Sequence, residues 1–443
     1  MTSTTTAVIL AAGMGTRMRS RMPKALQPLA NRPMIQHLIA AAETVFDYII
    51  VVVGPDMPEL EKAVSPHKTV IQRERLGTGH AALTAISSVK EGEVVFLYAD
   101  NPLLTPQTMQ RLLKGRHEKG VVLTLLGMRP ADPAQYGRLI THEDGSVQRI
   151  VEYKDASPSE RAIPLCNAGM MCADSASFQR WLSEIRPNNV QGEYYLTDIV
   201  EFAAREGRVH CIEADEKELA GVNSRVELAR AEATLQERFR LNAMEAGATL
   251  IDPASTFLSA DTQIDPDVII EPNVFIGPGV VLKEGCTIRA FSHLERCVVG
   301  EEAIIGPYAR LRPGTHCESK TRVGNFVELK NTTLGEGSKA NHLSYLGDTS
   351  IGRDVNIGAG SITCNYDGVF KHKTTIGDRS FIGSNSLMIA PISIGKEALI
   401  AAGSILTKEV PARAMAFGRA KQINKEERGL AYQQALRAKK EQG

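Results

Sequence analysis

The chain has 443 residues, with 51 Lys and Arg against 51 Asp and Glu, so its formal net charge is zero. That balance gives no global pull toward nucleic acid or anionic lipid and leaves room only for local basic sites. At 43% hydrophobic and 23% charged residues the composition is that of a globular chain with ample core, and the length predicts two or three domains.

The N-terminal segment MTSTTTAVILAAG lacks a basic region, and its short apolar run flows into a glycine turn, unlike a signal peptide. No run of 18 apolar residues occurs, so no membrane span or membrane partner is expected. The 7 cysteines include no C-x-x-C pair and read as reduced buried thiols of a cytoplasmic protein.

Residues 6–222 alternate short β-branched runs (Val8–Leu10, Ile49–Val53, Val94–Tyr98, Val121–Leu126) with helical patterns such as Pro33–Thr44, Gly79–Ser88 and Pro106–Lys119. Such alternation predicts a mostly parallel sheet with helices on both faces, whose ligands sit beyond the carboxyl ends of the strands. Ser224 to Ala246 contains no Gly or Pro and reads as one helix, capped near Asn223 or Ser224 and stopped at Gly247. Its even mix of charges suits a connector. The expected domains are therefore 1–223 and 248–443, joined by a linker helix over 224–247.

Beyond it, apolar residues recur every six positions: Ile264, Ile270, Ile276, Leu282, Ile288 and Leu294, then from Val299 to Leu329, and again from Ile376 to Leu406. A six-residue period fits neither an α-helix nor a plain strand and is the signature of a hexapeptide parallel β-helix. It puts the large residues in one inward stack, with smaller ones such as Val268, Val274 and Cys286 near the corners. Of the 37 glycines, 18 lie between Ile264 and Val410, as expected if the corners need them. The 13-residue step from Thr363 to Ile376 predicts a loop over Asn365–Thr374. The repeat ends after Leu406, and the charged tail from Lys425 reads as a frayed helix.

Leu10-Ala-Ala-Gly-Met-Gly-Thr-Arg-Met18 follows a strand, and small residues there let free N–H groups approach a phosphate. It is neither a Walker nor a dinucleotide motif. Arg17 and Lys24 could bracket phosphates, but a tight turn beside solvated cations explains this segment equally well. Gln72-Arg-Glu-Arg-Leu-Gly-Thr-Gly-His80 is a second glycine turn that opens a helix. Asp100, just past an apolar strand, is either a Mg²⁺ ligand or a turn residue before Pro102. In the repeat region, the segments holding Arg310, Arg312, Glu328, Lys330, His342, Tyr345, Asn356 and residues 363–368 lie about one or more coils apart. His342 has the chemistry of a general base for amide formation. A lone corner histidine bonded to backbone would look the same.

L-A-A-G-x-G-T-R-M, Pro23-Lys24 and Q-x4-G-T-G-H-A together resemble the sugar-1-phosphate nucleotidyltransferases. With the hexapeptide repeat attached, residues 6–423 resemble the bacterial bifunctional N-acetylglucosamine-1-phosphate uridylyltransferase / glucosamine-1-phosphate N-acetyltransferases. The resemblance implies a Rossmann-like α/β domain followed by a left-handed parallel β-helix, and a homotrimer with acetyltransfer sites shared between subunits. It implies that Leu10, Ala11, Ala12, Gly13, Gln72, Gly77 and Thr78 hold uracil and ribose. Arg17 and Lys24 hold the triphosphate, and Asp100 and Asn223 hold Mg²⁺. Tyr98, Ala99, Gly137, Glu152 and Asn167 meet the sugar, with Gly192–Asp198 lining the same side. Ala99 and Ala168 stand where the family usually has Gly and Thr. In the second domain the resemblance makes His342 the base and puts Arg312, Lys330, Tyr345 and Asn356 on glucosamine-1-phosphate. Ala359, Asn365, Tyr366, Ser384, Ala402 and Arg419 hold acetyl-CoA. The implied chemistry is acetylation of glucosamine-1-phosphate, then uridylyl transfer from UTP to N-acetylglucosamine-1-phosphate. Direct transfer is expected, with Cys364 a buried thiol rather than an acyl carrier. The alternative is a nucleotidyltransferase alone, its β-helix serving assembly or regulation; the His342, Tyr345 and Asn365-Tyr366 cluster argues against it.

Overall fold

The computed structural model describes residues 4–133 and 135–442, so residues 1–3, 134 and 443 of the expected domains lie outside it. The chain forms two compact units, Met1–Phe239 and Arg240–Gly443.

In the first unit the strands lie in the order Arg208–Glu213, Val121–Met128, Cys166–Asp174, Glu93–Tyr98, Thr5–Leu10, Tyr48–Val53 and Lys68–Ile71. Cys166–Asp174 runs antiparallel to both neighbours; the other pairings in this row are parallel. Ala7 and Ile9 pack into one apolar layer with Leu38, Leu60 and Leu112, while Val8 and Leu10 pack into another with Ala85, Trp181 and Val200. Helices therefore cover both faces, which is why these strands read as unbroken apolar runs instead of alternating. The expected strands and helices all form, with ends shifted by one to three residues.

The helix Arg225–Glu245 forms within the stretch 224–247 where one helix was expected, and the division between the units falls inside it. Its first turns belong to the N-terminal unit: Ala231 and Leu235 are buried, Glu232 accepts from the Ala30 N–H at 2.7 Å, and Arg225 donates to Gln27 Oε1 at 2.7 Å.

The second unit is a left-handed parallel β-helix whose three faces are ladders of ten, nine and eight parallel strands. Residues in register on one face, such as Ile270 and Ile288, are one coil apart. The large residues accordingly form three inward columns, not one. Ile270, Ile288, Ile305 and Val323 make the first, Ile276, Leu294, Leu311 and Leu329 the second, and Leu282, Val299, Cys317 and Leu334 the third. The five-residue step from Leu294 to Val299 keeps register, because Val299 still pairs with Leu282. Val268, Val274, Val280, Cys286 and Ser292 are buried as well. The coil also runs further than the period suggested. It starts at Thr249–Leu250, and Met415–Ala416 still pairs with Leu399–Ile400 beyond Leu406. Residues 365–373 leave it as a loop, while Thr374 is already back in a strand. The tail forms the helix Arg428–Glu441, exposed throughout.

Many corners turn through left-handed residues that are not glycine, including Asp267, Asn273, Phe291, Tyr308, Phe326, Leu343 and Asn385, at φ 48–61°. The glycines serve largely another need, close approach of the next coil. A Cβ on Gly324 would stand 2.1 Å from the Asn341 carbonyl oxygen, and one on Gly358 would stand 2.5 Å from the Ser384 nitrogen. Gly324→Ala should therefore cost about 2–3 kcal/mol of stability by overpacking against backbone. Gly429→Ala, with nothing within 4 Å of its Cβ, should change thermal unfolding little. Equal melting of the two variants would refute this account of the coil.

Candidate functional site

Leu10 and Tyr98 stand level across adjacent parallel strands, and the segments leaving their carboxyl ends enter a common cleft. A cavity of about 360 Å³ is lined by Leu10, Ala11, Ala12, Gly13, Lys24, Gln72, Gly77, Thr78, Tyr98, Ala99 and Asp100, among others. A wider cleft of about 1070 Å³ continues from it past Arg17, Lys24, Gly137, Glu152, Asn167, Ala168 and Asn223. Apart from part of the segment 192–198, every residue expected on the nucleotidyl-transfer side thus lines one of these two adjoining cavities. Of the segment 192–198, Glu193, Tyr195 and Thr197 reach the cleft.

At its centre the Lys24 ammonium lies 2.5 Å from Asp100 Oδ2 and 2.9 Å from Asn223 Oδ1. Local structure holds all three. A Cβ on Gly15 (φ 67°) would strike Lys24 Cβ at 2.5 Å, so only glycine lets this turn lie against the lysine. Val222 N–H donates to the Asp100 carbonyl at 2.8 Å, tying the two oxygen-bearing segments together. Glu227 accepts from the Asn223 N–H at 2.6 Å, and Ser224 Oγ caps the Glu227 N–H at 3.3 Å. Two hard oxygens from distant segments therefore converge on one cation. A carboxylate plus an amide oxygen, with further places left to phosphate and water, is a donor set that Mg²⁺ accepts. Arg17 is exposed, and among the described residues the N–H groups of Ala12, Gly13 and Met14 make no hydrogen bond, as an anion cradle requires.

Toward the far end, Glu152 is held by the Thr197 hydroxyl at 3.1 Å, and burial raises its pKa. Asn167 Oδ1 is taken by the Gly169 N–H at 3.0 Å, which leaves its amide nitrogen to donate into the cleft. A Cβ on Gly169 would meet the Tyr98 ring at 2.7 Å. Burial, then Glu152 and Asp100, raise the Tyr98 pKa, so this phenol stays protonated. Arg75, not singled out from the sequence, donates to the Ala12 carbonyl at 2.8 Å and lines both cavities. Its only trace was a second arginine in Gln72-Arg-Glu-Arg.

Parallel register sorts the residues of the β-helix into two groups. Ala340, Ile357, Ile382 and Ile400 pair in succession on the first face. The residues two places on, His342, Ala359, Ser384 and Ala402, therefore form a column at one corner. Arg419 joins it by donating to the Ala402 carbonyl at 2.6 Å. The His342 ring is exposed and makes no hydrogen bond among the described residues, unlike a corner histidine spent on backbone. On the second face, Arg312 donates to Glu328 at 2.7 Å, Glu328 pairs with Tyr345, and Lys330 lies 3.9 Å from Asp348. Asn365 donates to the same Asp348 at 2.5 Å. Tyr366 opens the exposed loop, and Asn356 projects from the first face. Lys371, in that loop, lies against Lys330, whose hydrogen bond to it, and then whose charge, lowers the Lys371 pKa. Nothing in the repeat marked it. These groups flank the second face, and a cavity of about 370 Å³ beside it is lined by Asp348 and Lys371, among others. The cysteines are all free, five buried and two (Cys211, Cys364) partly exposed, a small departure from the expected full burial. Burial raises the Cys364 pKa, which suits an inert thiol.

Asp198, next to Thr197, has its pKa pushed up to about 6 by burial, with Glu152 the largest charge acting on it. Its folded-state pKa exceeds the unfolded one, so stability falls as pH rises from about 4 to 6, and the full cost is present above that. Asp198→Asn should stabilise the protein at pH 7.5 by on the order of 1 kcal/mol, and the gain should vanish near pH 4. A gain independent of pH in thermal melts would refute this.

Comparison with known proteins adds two domain matches. The MobA-like NTP transferase domain matches residues 7–142, and the hexapeptide repeat of succinyl-transferase matches residues 373–408. Over its full length the chain is similar to proteins named "Bifunctional protein GlmU". It is 63% identical over 442 residues to that of Gluconobacter oxydans (strain 621H), covering 100% of this chain and 99% of that protein. It is 57% identical over 443 residues to that of Gluconacetobacter diazotrophicus, covering 99% and 96%. To that of Paramagnetospirillum magneticum (strain AMB-1) it is 46% identical over 442 residues, covering 98% of each.

Proposed function

The chain belongs to the family of bifunctional GlmU proteins, and from that premise we propose which residues carry each of its two activities. It is a nucleotidyltransferase and acyltransferase that acts on a sugar phosphate and a nucleotide. In this reading the β-helix acetylates glucosamine-1-phosphate with acetyl-CoA, and the N-terminal unit couples the product to UTP. Among the described residues no helix is long and apolar enough to cross a membrane.

The observation that carries the uridylyl half is the convergence of Lys24, Asp100 and Asn223 beside the free N–H groups of the glycine turn. Both reactants are anions, so the site must chiefly neutralise charge and align the sugar phosphate oxygen with the α-phosphorus of UTP as pyrophosphate leaves. Lys24 and Arg17 supply cationic charge to the triphosphate. Asp100 and Asn223 would hold Mg²⁺, which when bound supplies further charge neutralisation at the phosphates. Gln72, Gly77 and Thr78 with Leu10–Gly13 take the nucleoside, and Glu152, Gly137 and Asn167 take the sugar. The buried Ala99 and Ala168 shape this wall in place of the family's usual Gly and Thr.

For acetyl transfer, the amine nitrogen attacks the thioester carbonyl, His342 accepts the amine proton, and as the C–S bond breaks His342 returns that proton to the sulfur, so the coenzyme leaves as thiol. Arg312 and Lys330 carry the cationic charge for the sugar phosphate, assisted by Tyr345 and Asn356. The column Ala359, Ser384, Ala402 and Arg419, with Asn365 and Tyr366, takes the coenzyme. A homotrimer accounts for the openness of this site, because a neighbouring chain can close the space beside the column. It also accounts for the exposed Phe291, Tyr308, Phe326 and Leu343, which line the same corner. The first three rings stack at centroid distances of 4.9 and 5.2 Å.

Supplying glucosamine-1-phosphate, acetyl-CoA, UTP and Mg²⁺ while reading free thiol and pyrophosphate separately tests both halves. His342→Ala should cut thiol release by about 10²-fold or more, the usual worth of a positioned base, with pyrophosphate formation from N-acetylglucosamine-1-phosphate unchanged. Asp100→Ala should do the reverse. A wild-type protein that releases no thiol would leave the β-helix an assembly module. Phe326→Glu should convert the trimer to smaller species in light scattering and lower thiol release alone; an unchanged mass would overturn the trimer assignment.

A further inference from the structure

The Gln72 side chain is almost fully buried yet lines the smaller cavity. Its Nε2 lies 3.1 Å from the Gly77 carbonyl oxygen and 3.1 Å from His80 Nδ1. A carbonyl oxygen can only accept, so the atom facing Gly77 must be the amide nitrogen, and the orientation of the amide is not free. Its second N–H then points at His80 Nδ1, which must be the unprotonated ring nitrogen, so the imidazole carries its hydrogen on Nε2. Both amide hydrogens are thereby spent. Oε1 makes no hydrogen bond among the described residues, and the cavity is offered a pure acceptor. Around it the N–H groups of Ala12, Gly13 and Gly77 are also without partners among those residues. The wall therefore presents one acceptor among donors. A base edge with a ring N–H between two carbonyls complements it; an edge with an unprotonated ring nitrogen beside an amino group does not.

We propose that His80 is a positioning residue which, by accepting from Gln72, locks that amide with its oxygen toward the base and so selects a uracil ring over cytosine. The proposal rests on the reading of this cavity as the nucleoside end of the UTP site. Without His80, Gln72 turns on its single bond to Gly77, and the freed N–H can meet a ring nitrogen that accepts. The loss falls on ground-state binding of the nucleotide, so KM for UTP moves and kcat does not.

The test compares UTP, CTP and N3-methyl-UTP as substrates for the wild type, His80→Leu and His80→Asn, in the full-length protein. Asn can place an oxygen where Nδ1 stood. The wild type should reject both CTP and N3-methyl-UTP. His80→Leu should lower the UTP to CTP ratio of kcat/KM by about tenfold, the worth of one hydrogen bond to a buried group, through KM. His80→Asn should restore most of the ratio. Far-UV circular dichroism and a cooperative thermal transition of the N-terminal unit like that of the wild type report whether each variant is folded. If the wild type uses N3-methyl-UTP as well as UTP, the base-site reading fails. If it discriminates but His80→Leu keeps the same ratio, or His80→Asn behaves like His80→Leu, the positioning role of His80 fails alone. If His80→Leu does not fold, a His80→Asn ratio equal to wild type supports the role and a lowered ratio overturns it.

Discussion

Parallel strands in register place residues that are distant in sequence at one level, and both sites are built on that constraint. In the first unit, Val52, Leu10 and Tyr98 align across three neighbouring strands. The segments beyond them share one end of the sheet, and the free donors, Asp100 and the glycine turn meet there without any long excursion. In the second unit the same rule acts along a coil. Once Ala340, Ile357, Ile382 and Ile400 pair, His342, Ala359, Ser384 and Ala402 have no choice but to line up. The two chemistries differ, but the way the backbone assembles them is shared.

Charge decides what each site can hold. The chain is neutral overall, so attraction for phosphate must be local and fixed in place. In the cleft, Lys24 is neutralised by Asp100 at 2.5 Å, so any phosphate oxygen that reaches this ammonium must compete with that carboxylate. On the β-helix, Arg312 is paired with Glu328 while Lys330 and Lys371 share Asp348. The Lys330 ammonium, by its hydrogen bond to Lys371 and then by its like charge, lowers the Lys371 pKa, while Asp348 offsets part of this.

Much of this was legible in the sequence because its signals were local or periodic. The glycine turns, the apolar strands and the six-residue period each report on neighbours along the chain. The missing features depend on geometry that local sequence does not encode. A six-residue period shows that large residues point inward, but three faces per coil make three columns, which only the register reveals. The coil also extends to Leu250 and Ala416 because strand pairing tolerates side chains that break the period. Arg75 crosses over Gly54 to reach Ala12, and Lys371 lies in a loop outside the repeat; neither position follows a period. The expectation that glycine serves the corners was too simple, since Gly324 and Gly358 are required by the backbone of the next coil.

The bulky left-handed corner residues lead one step further. Phe291, Tyr308, Phe326 and Leu343 adopt φ of 48–61°, a region costly for large side chains, and they do so while 45–63% exposed. Stacking of the three aromatic rings returns part of that cost, but it cannot explain Leu343, which has no ring. Further along the same corner stand Gly360, Asn385 and Gly403, residues that adopt this conformation readily. Backbone strain is thus accepted where the corner is apolar and avoided beside Ala359, Ser384 and Ala402. One edge is in this way divided between a stretch of exposed apolar, strained corners and a stretch of small or polar, readily left-handed ones, and His342 stands at their junction.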